Sequence, residues 1–386
     1  MRKLLKTVHK SEDVMITSNI DLTAEVSKYE VEKDVFEYEF LLSWDEEQAK
    51  APDSKVVLVW SIPCVDVQYM WHPGCRARRV LDADWRLQIE SMLTNSAPMA
   101  LLFNADDRNI FTFATDEVKK VSSVRFGVDD DSNTIAGDIE MGLRQFVGKN
   151  SHRLRVRADF QKIPYYEALD GVRRWWEKVL DGPGMRRFGN LFRVADCPGD
   201  ITTNRVGICD LRLLNGNGTA VHSDMITWNN EESVEDAALQ VLNTIFGVTQ
   251  FSKVIGQMRP EHREMVTFWL KFAGDNVKVL QQSEFIPYEP HFLYPVIKAF
   301  DAEEEIIGVY ACNKVIRPDP GKRRSRIINA TKEAVLYLKI AEDCEVKLVR
   351  KDCGGHVVSE EKTVLHQGVT PVEVPRSGLL EMSVEW

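Results

Sequence analysis

The chain has 386 residues, of which 44% are hydrophobic and 28% charged, a composition typical of soluble globular proteins. Its net charge of -10 repels a phosphate backbone, so nucleic acid is not an expected partner. No apolar run approaches the roughly 20 residues that cross a membrane, and the basic N-terminus lacks the apolar segment of a secretion signal. We therefore expect a cytoplasmic protein of two or three domains, without membrane association.

The seven cysteines argue against a disulfide framework and against a zinc site. Their number is odd, their spacing is scattered, and no C-x-x-C pair occurs. The sequence therefore predicts thiols buried in the core, and no metal.

The first part of the chain, residues 1–164, predicts a β-sandwich. Short apolar or alternating runs are separated by turn-forming clusters such as "NADDRN". Many strands with few helices are typical of two packed sheets. The predicted strands are 34–44, 54–63, 98–104, 109–115, 120–128 and 152–160.

After Pro164 the pattern changes to alternating helices and strands, which predicts parallel βα units over 165–293. Residues 181–190 are rich in Gly and Pro and predict a loop. Ser233 fits the cap of a helix, and Pro260 fits the first turn of another. The predicted helices are 165–180, 233–246 and 260–273, and the predicted strands are 191–196, 219–224 and 251–256.

The β pattern returns in residues 294–386 and predicts a small antiparallel sandwich at the end of the chain. The predicted strands are 305–312, 334–340, 344–351 and 378–386.

Polar residues follow two predicted strands of the βα region. Asp196 ends one strand, His222 and Asp224 end the next, and Trp228 follows. Active sites of βα barrels lie at the carboxyl ends of the strands. A tryptophan beside carboxylates and a histidine is typical of a sugar site, because the ring stacks on the sugar while charged groups bind its hydroxyls. The alternative, favoured by the pattern alone, is solvated loops beside a tryptophan that packs in the core.

Several blocks of the sequence resemble the α-galactosidases of glycoside hydrolase family thirty-six. The blocks "RVADCPGD" (193–200), "NRVGICDLRLL" (204–214) and "AVHSDMITWNNEESVEDAALQVLNTIFGVTQFS" (220–252) resemble the late catalytic barrel. "HREMVTFWLKF" (262–272) and "YEPHFLYPVIKA" (288–299) resemble its end, and "MWHPGC" (70–75) and "IPYYEALDGVRRWWE" (163–177) resemble the N-terminal sandwich and its exit. The resemblance covers most of the chain.

The resemblance implies a retaining α-galactosidase that needs no metal or cofactor and acts on α-galactoside oligosaccharides. Retention requires a carboxylate nucleophile and a carboxylic acid about 5–5.5 Å apart. The family's acid/base block falls on Asp196, although Ala195 stands where a serine is expected. The substrate-binding residues that the resemblance implies are His222, Asp224, Trp228, Asp200 and Trp71.

The resemblance does not extend to the nucleophile. In the family it lies in a K-x-D-F-like block on an earlier barrel strand, and this sequence has no such block. Residues 165–293 provide 129 positions, whereas a full barrel needs about 250 and rarely fewer than about 200. The expected architecture is therefore an N-terminal β-sandwich (1–164), an incomplete (β/α) barrel that carries the site (165–293) and a C-terminal antiparallel β-sandwich (294–386).

The expected function is that of an α-galactosidase-type glycoside hydrolase that is inactive as it stands. The alternatives are a non-catalytic carbohydrate-binding protein and an incomplete gene product. The sequence leaves open the sugar linkage, the oligomeric state and the origin of the missing barrel half.

Overall fold

The computed structural model describes residues 5–73, 98–117, 121–129, 133–146, 148–180, 191–197 and 199–384. The fold is mostly β and contains several sheets. The chain divides into two compact units, Met1–Pro183 and Gly184–Trp386.

The first unit is built from two antiparallel sheets. Their strand orders are β1-β2-β5-β10-β9 and β3-β4-β11-β8-β7-β6. The strands are β1 (Lys6–Lys10), β2 (Val14–Ser18), β3 (Leu22–Glu32), β4 (Val35–Trp44), β5 (Lys55–Pro63), β6 (Tyr69–Trp71), β7 (Met99–Phe103), β8 (Asn109–Thr115), β9 (Val121–Asp129), β10 (Thr134–Gly142) and β11 (Ser151–Asp159). The helices are α1 (Glu46–Ala49) and α2 (Tyr165–Val179), and Leu143–Gln145 form a 3-10 turn.

Alternating side chains explain why both sheets face one core. In β10, buried residues alternate with half-buried ones. Ile139 of this strand shares an apolar cluster with Leu58 of β5 and with Phe113 of the other sheet. Gly137 lies opposite Trp60, and a Cβ at this glycine would meet the indole ring at 2.0 Å. The tryptophan therefore needs a glycine on the neighbouring strand.

Helix α2 packs on this first unit, although the residues from 165 onward were predicted to belong to the barrel. Trp176 Nε1 donates to the Thr115 carbonyl at 2.9 Å, and Trp175 Nε1 donates to Glu37 Oε2 at 2.6 Å. These bonds attach the helix to β8 and β4. The loop predicted at 181–190 lies outside the described residues.

The second unit begins with a parallel sheet in the order β12-β13-β14. Its strands are β12 (Leu191–Arg193), β13 (Ala220–Ile226) and β14 (Val248–Phe251). The helices are α3 (Ile201–Asn215), α4 (Val234–Leu242) and α5 (Pro260–Asp275). Ile255–Gln257 and Pro290–Phe292 form 3-10 turns, and Lys278–Gln282 form a π-helical turn.

The parallel βα pattern predicted for this region is confirmed, with local corrections. Ser233 caps α4 by accepting from the Asp236 amide at 3.1 Å, and Pro260 lies in the first turn of α5. The strand predicted at 251–256 is wrong, since Val254 and Ile255 are 62% and 60% exposed and lead into a 3-10 turn. In the described residues the three parallel strands form an open sheet, and they do not close into a barrel.

The rest of the second unit is two further sheets. Their strand orders are β15-β16-β17-β19-β24-β21-β22 and β18-β20-β23, and one apolar cluster draws on both. The strands are β15 (Glu284–Tyr288), β16 (Val296–Phe300), β17 (Glu304–Val309), β18 (Val315–Ile316), β19 (Arg324–Asn329), β20 (Val335–Ile340), β21 (Cys344–Lys351), β22 (Val357–Leu365), β23 (Gly368–Glu373) and β24 (Leu379–Val384). The wholly antiparallel sandwich predicted for 294–386 is wrong in detail, because β17 pairs with β19 and β18 with β20 in parallel and the larger sheet begins with β15.

The cysteines follow the sequence prediction in part. All six cysteines in the described ranges are thiols rather than disulfides. Cys197, Cys209 and Cys353 are buried as predicted, whereas Cys312 is exposed. Cys75 lies outside the described residues. No helix in those same ranges is both long enough and apolar enough to span a bilayer.

Candidate functional site

Polar side chains from all three parallel strands meet at the carboxyl end of the β12-β13-β14 sheet. Arg193, the last residue of β12, connects them. Its Nη1 pairs with Asp196 Oδ1 at 2.9 Å, its Nη2 donates to Asp224 Oδ1, and its Nε donates to Gln250 Oε1 at 3.3 Å. We call these four residues, with His222, the Arg193 cluster.

Asp224 is the rigid member of the cluster. Its side chain is 6% exposed. Oδ2 accepts from the Cys197 amide at 2.6 Å, and Oδ1 accepts from the Met225 amide at 2.8 Å. The Asn204 side chain fixes the backbone of Asp224 from α3, with bonds of 3.0 and 3.1 Å. Both carboxylate oxygens are therefore engaged within the protein.

Asp196 is the accessible member, because its side chain is 87% exposed. The hydrogen bond to Asp196 is the main cause that raises the pKa of Arg193, and the nearby charge of Asp224 adds to it. The guanidinium therefore stays charged beside both carboxylates.

His222 is half-buried and is oriented by Gln250. The distance from Gln250 Nε2 to His222 Nδ1 is 2.9 Å. An amide nitrogen can only donate, so Nδ1 accepts and the proton of the neutral ring lies on Nε2. Ser223 is fully buried, and its hydroxyl accepts a hydrogen bond from the backbone N–H of Gln250 at 2.9 Å. His222 therefore offers one N–H to a ligand, while Ser223 ties β13 to β14.

Trp228 does not present the ring face that the sugar-site prediction requires. The side chain is 4% exposed, and Nε1 donates to His262 Nδ1 at 3.2 Å. His262 in turn donates from Nε2 to the Glu232 carbonyl at 3.2 Å. Lys253 lies 5.6 Å from the ring centroid and donates to the Trp228 carbonyl at 2.6 Å. The ring belongs to the packing beneath the loop, since a stacking platform must be open to the sugar.

Asp200 and Trp71, the other two predicted binding residues, contribute to the fold: one caps a helix and the other is buried in a sheet. Asp200 is the N-cap of α3 and accepts from the Thr203 amide at 2.9 Å and from its hydroxyl at 2.5 Å. These two bonds lower the pKa of Asp200. Trp71 lies in β6 of the first unit, opposite Leu101, and is fully buried.

Three other aspartates of the second unit, Asp200, Asp210 and Asp224, are held in structural contacts and not poised as a second catalytic carboxylate. Asp210 lies on α3, is 5% exposed and accepts from the Tyr294 hydroxyl at 2.6 Å. Asp200 caps the same helix. Asp224 is committed to backbone amides and to Arg193.

Arg193, Gln250 and Asn204 are members of the site that sequence reasoning missed. The available signal was Arg193, which lies three residues before Asp196 in the strand predicted at 191–196, although β12 itself ends at Arg193. Gln250 is also near the end of its strand, but the strand itself was predicted too late in the chain.

The Arg193 cluster has the wrong charge pattern for a metal. A guanidinium lies between the two carboxylates, where a cation would otherwise bind. In the described ranges, no group of three or more His, Cys, Asp and Glu residues is arranged to hold a metal ion.

Comparison with known proteins finds similarity in solved structures only. No family model and no curated protein matches the chain. The α-galactosidase of Lactobacillus brevis is 9% identical, with coverage of 100% of this chain and 84% of that one and a TM-score of 0.40. A variant of the GH36 α-galactosidase AgaA of Geobacillus stearothermophilus, in complex with 1-deoxygalactonojirimycin, is 8% identical, with 98% and 84% coverage and a TM-score of 0.42. A GalM/aldose epimerase homologue of C. elegans is 10% identical, with 41% and 69% coverage and a TM-score of 0.24.

Proposed function

We propose that this chain is a relative of the family-thirty-six α-galactosidases that binds α-galactosides without hydrolysing them. In this proposal the two sheets of the first unit and the two C-terminal sheets, which begin at β15, correspond to the two β-sandwiches, and residues 191–282 are the remainder of the barrel. The observation that carries the proposal is the single guanidinium of Arg193 that holds both Asp196 and Asp224.

Hydrolysis with retention needs more than this cluster supplies. A nucleophilic carboxylate attacks the sugar while a carboxylic acid protonates the leaving oxygen. Asp196 is accessible enough to act as the acid, but Asp224 is buried and hydrogen-bonded through both oxygens. General acid catalysis alone is worth about 10²–10⁴, whereas enzymes accelerate reactions by about 10⁶–10¹⁷. We therefore expect the rate to fall short by several powers of ten.

Binding of a sugar requires polar contacts but no nucleophile. The Arg193 cluster offers the carboxylate of Asp196, the guanidinium and the Nε2–H of His222 to sugar hydroxyls. Trp228 contributes no open ring face, so affinity for a galactoside depends on polar contacts that compete with water. We expect weak binding that depends on Asp196.

The first test measures hydrolysis. The purified chain and its Asp196→Ala variant are incubated with p-nitrophenyl α-galactoside, and released p-nitrophenol is followed beside a buffer blank. We expect both proteins to match the blank, because in the described part of the chain the carboxylate nearest to Asp196 across Arg193, that of Asp224, is buried and bonded through both oxygens. Robust turnover by the parent chain that disappears in the variant would overturn the proposal and reveal an unrecognised nucleophile.

The second test measures binding with a matched control. Raffinose is titrated into the chain by calorimetry, and also into Asp196→Asn and Asp343→Asn variants. Asp343 is likewise an exposed aspartate that forms a side-chain ion pair, with His366 at 3.0 Å, but it lies outside the Arg193 cluster. Binding that weakens in Asp196→Asn and persists in Asp343→Asn supports the proposal. If the parent chain binds no raffinose, it is not a galactoside-binding protein and the incomplete gene product becomes the better account.

A further inference from the structure

The two C-terminal sheets line an open cavity of about 370 Å³. Its walls come from β15, β16, β17, β18 and the residues beside them, and none come from the parallel sheet. Small-molecule sites typically occupy about 300–1,000 Å³ and combine apolar walls with a few convergent polar groups. We call this space the Lys298 cavity, after the lysine in its wall.

The apolar wall of the Lys298 cavity follows from strand register. Val296 and Lys298 lie two residues apart on β16, so their side chains share one face of the sheet. Lys298 is directly opposite Ile307 of β17. Ile316 of β18 belongs to the same apolar cluster as Ile307. The cavity therefore continues the core of the two sheets, with a lysine at a position that would ordinarily be apolar.

Lys298 is held in this apolar wall by a buried acid. Its Nζ pairs with Glu305 at 2.5 Å, and the two side chains are 14% and 0% exposed. Glu305 also accepts from the Ser325 hydroxyl at 2.6 Å and from the Asp319 amide at 2.9 Å. A buried ion pair gains little net stability, because both charges lose their hydration. The pair places a charged ammonium group in the wall of the cavity.

Two further cations line the cavity. Lys314 pairs with Glu289, whose backbone has a φ of 53° in the left-handed region. That backbone conformation is uncommon for residues other than glycine and is often found at ligand sites. Arg317 follows β18 and is exposed. Three cations and the carboxylate of Glu289 thus line the cavity, and Glu305 pairs with Lys298 without lining it, so these five charges leave one surplus positive charge in a chain whose net charge is -10.

We propose that the Lys298 cavity binds a small organic oxyanion, a carboxylate or phosphate group on an apolar body. The guanidinium of Arg317 matches the two oxygens of such a group, since arginine binds planar oxyanions in a bidentate way. The apolar body packs on Val296, which is half-buried, and on Val315, which is 47% exposed. Neither sugar binding nor hydrolysis at the Arg193 cluster is required.

The test uses benzoate and phenyl phosphate as probes, with benzamide as the neutral match for benzoate. Each is titrated into the full chain by calorimetry and by ¹⁵N-resolved chemical shifts. We expect saturable binding of at least one anion below about 10 mM, no comparable binding of benzamide, and shifts at Val296, Ile307 and Ile316. The stronger of the two anions identifies the ligand class as carboxylate or phosphate.

Two variants locate the site. Arg317→Gln removes the surplus charge from an exposed position. It should weaken binding of the anion about tenfold, since a hydrogen bond to a charged group contributes about that much to affinity. Arg323 is an exposed arginine outside the cavity, so Arg323→Gln should leave the affinity for the anion unchanged. Equal binding by Arg317→Gln and the parent, equal binding of benzamide and benzoate, or no saturation by either anion would each overturn the proposal.

Discussion

At the scale of single residues, Asp196 and Asp224 show how one residue type acquires two roles. Both contact Arg193, but Asp196 is 87% exposed and Asp224 only 6%. The exposed carboxylate is accessible to a ligand. The buried one satisfies the amides of Cys197 and Met225, so it holds the end of β13 and the segment after β12 in place.

This difference predicts opposite stabilities for two alanine variants. Asp224→Ala should lower the free energy of unfolding by about 3–5 kcal/mol, because it breaks a buried ion pair and leaves buried amides without an acceptor. Asp196→Ala should change it by less than about 1 kcal/mol, as expected for a surface ion pair. Urea unfolding of both variants measures the two values. Equal losses would mean that the burial of Asp224 does not set its role.

At the scale of elements, the contact of α3 with the parallel sheet depends on a glycine. Gly207 lies in α3, and a Cβ at this position would meet Val194 Cγ1 at 2.6 Å. Gly274 lies in the last turn of α5, and a Cβ there would meet no atom within 4 Å. The two glycines are in the same kind of element but have opposite surroundings.

We expect alanine substitutions at these two glycines to act in opposite directions. Alanine is favoured over glycine in a helix by about 1 kcal/mol. Gly274→Ala should therefore stabilise the protein by up to about that amount. Gly207→Ala should destabilise it, because overpacking costs about 1–3 kcal/mol and exceeds the gain in helix propensity. Thermal unfolding of the two variants compares them, and stabilisation by both would show that α3 does not pack closely on Val194.

The strands were more predictable from the sequence than helix α3. Strands β8 and β21 have the bounds that their apolar patterns predict. No helix is predicted over Ile201–Asn215, because α3 buries polar side chains as well as apolar ones and so lacks a simple apolar stripe. Arg205 donates to the Leu293 carbonyl at 3.0 Å and Arg212 to the Phe246 carbonyl at 3.0 Å. Only tertiary contacts reveal these partners.

The candidate site was predictable in outline but not in its contacts. Strand pattern places Asp196 and Asp224 near neighbouring strand ends, and both do contact Arg193. The contacts of Arg193 and His222 with Gln250 depend on the register of β13 and β14, which shifts between His222 and Met225. A register shift of this kind leaves no mark on the sequence. The burial of Trp228 was equally hidden, because an isolated tryptophan after a strand suits a core and a sugar site alike.

At the scale of the whole molecule, the two units have separate cores. The cluster of the first unit contains Leu58, which is 1% exposed. The cluster of the C-terminal sheets contains Leu338, which is fully buried. The units span 183 and 203 residues, each large enough to bury a core of its own.

Separate cores predict two unfolding transitions in differential scanning calorimetry. Leu58→Ala and Leu338→Ala are matched variants, and each should cost about 2–5 kcal/mol through lost burial and the cavity left behind. For units of this size each should lower the midpoint of one transition by at least about 4 °C and leave the other in place. A single transition with equal calorimetric and van't Hoff enthalpies, or a shift of both transitions by either variant, would show that the chain unfolds as one cooperative body.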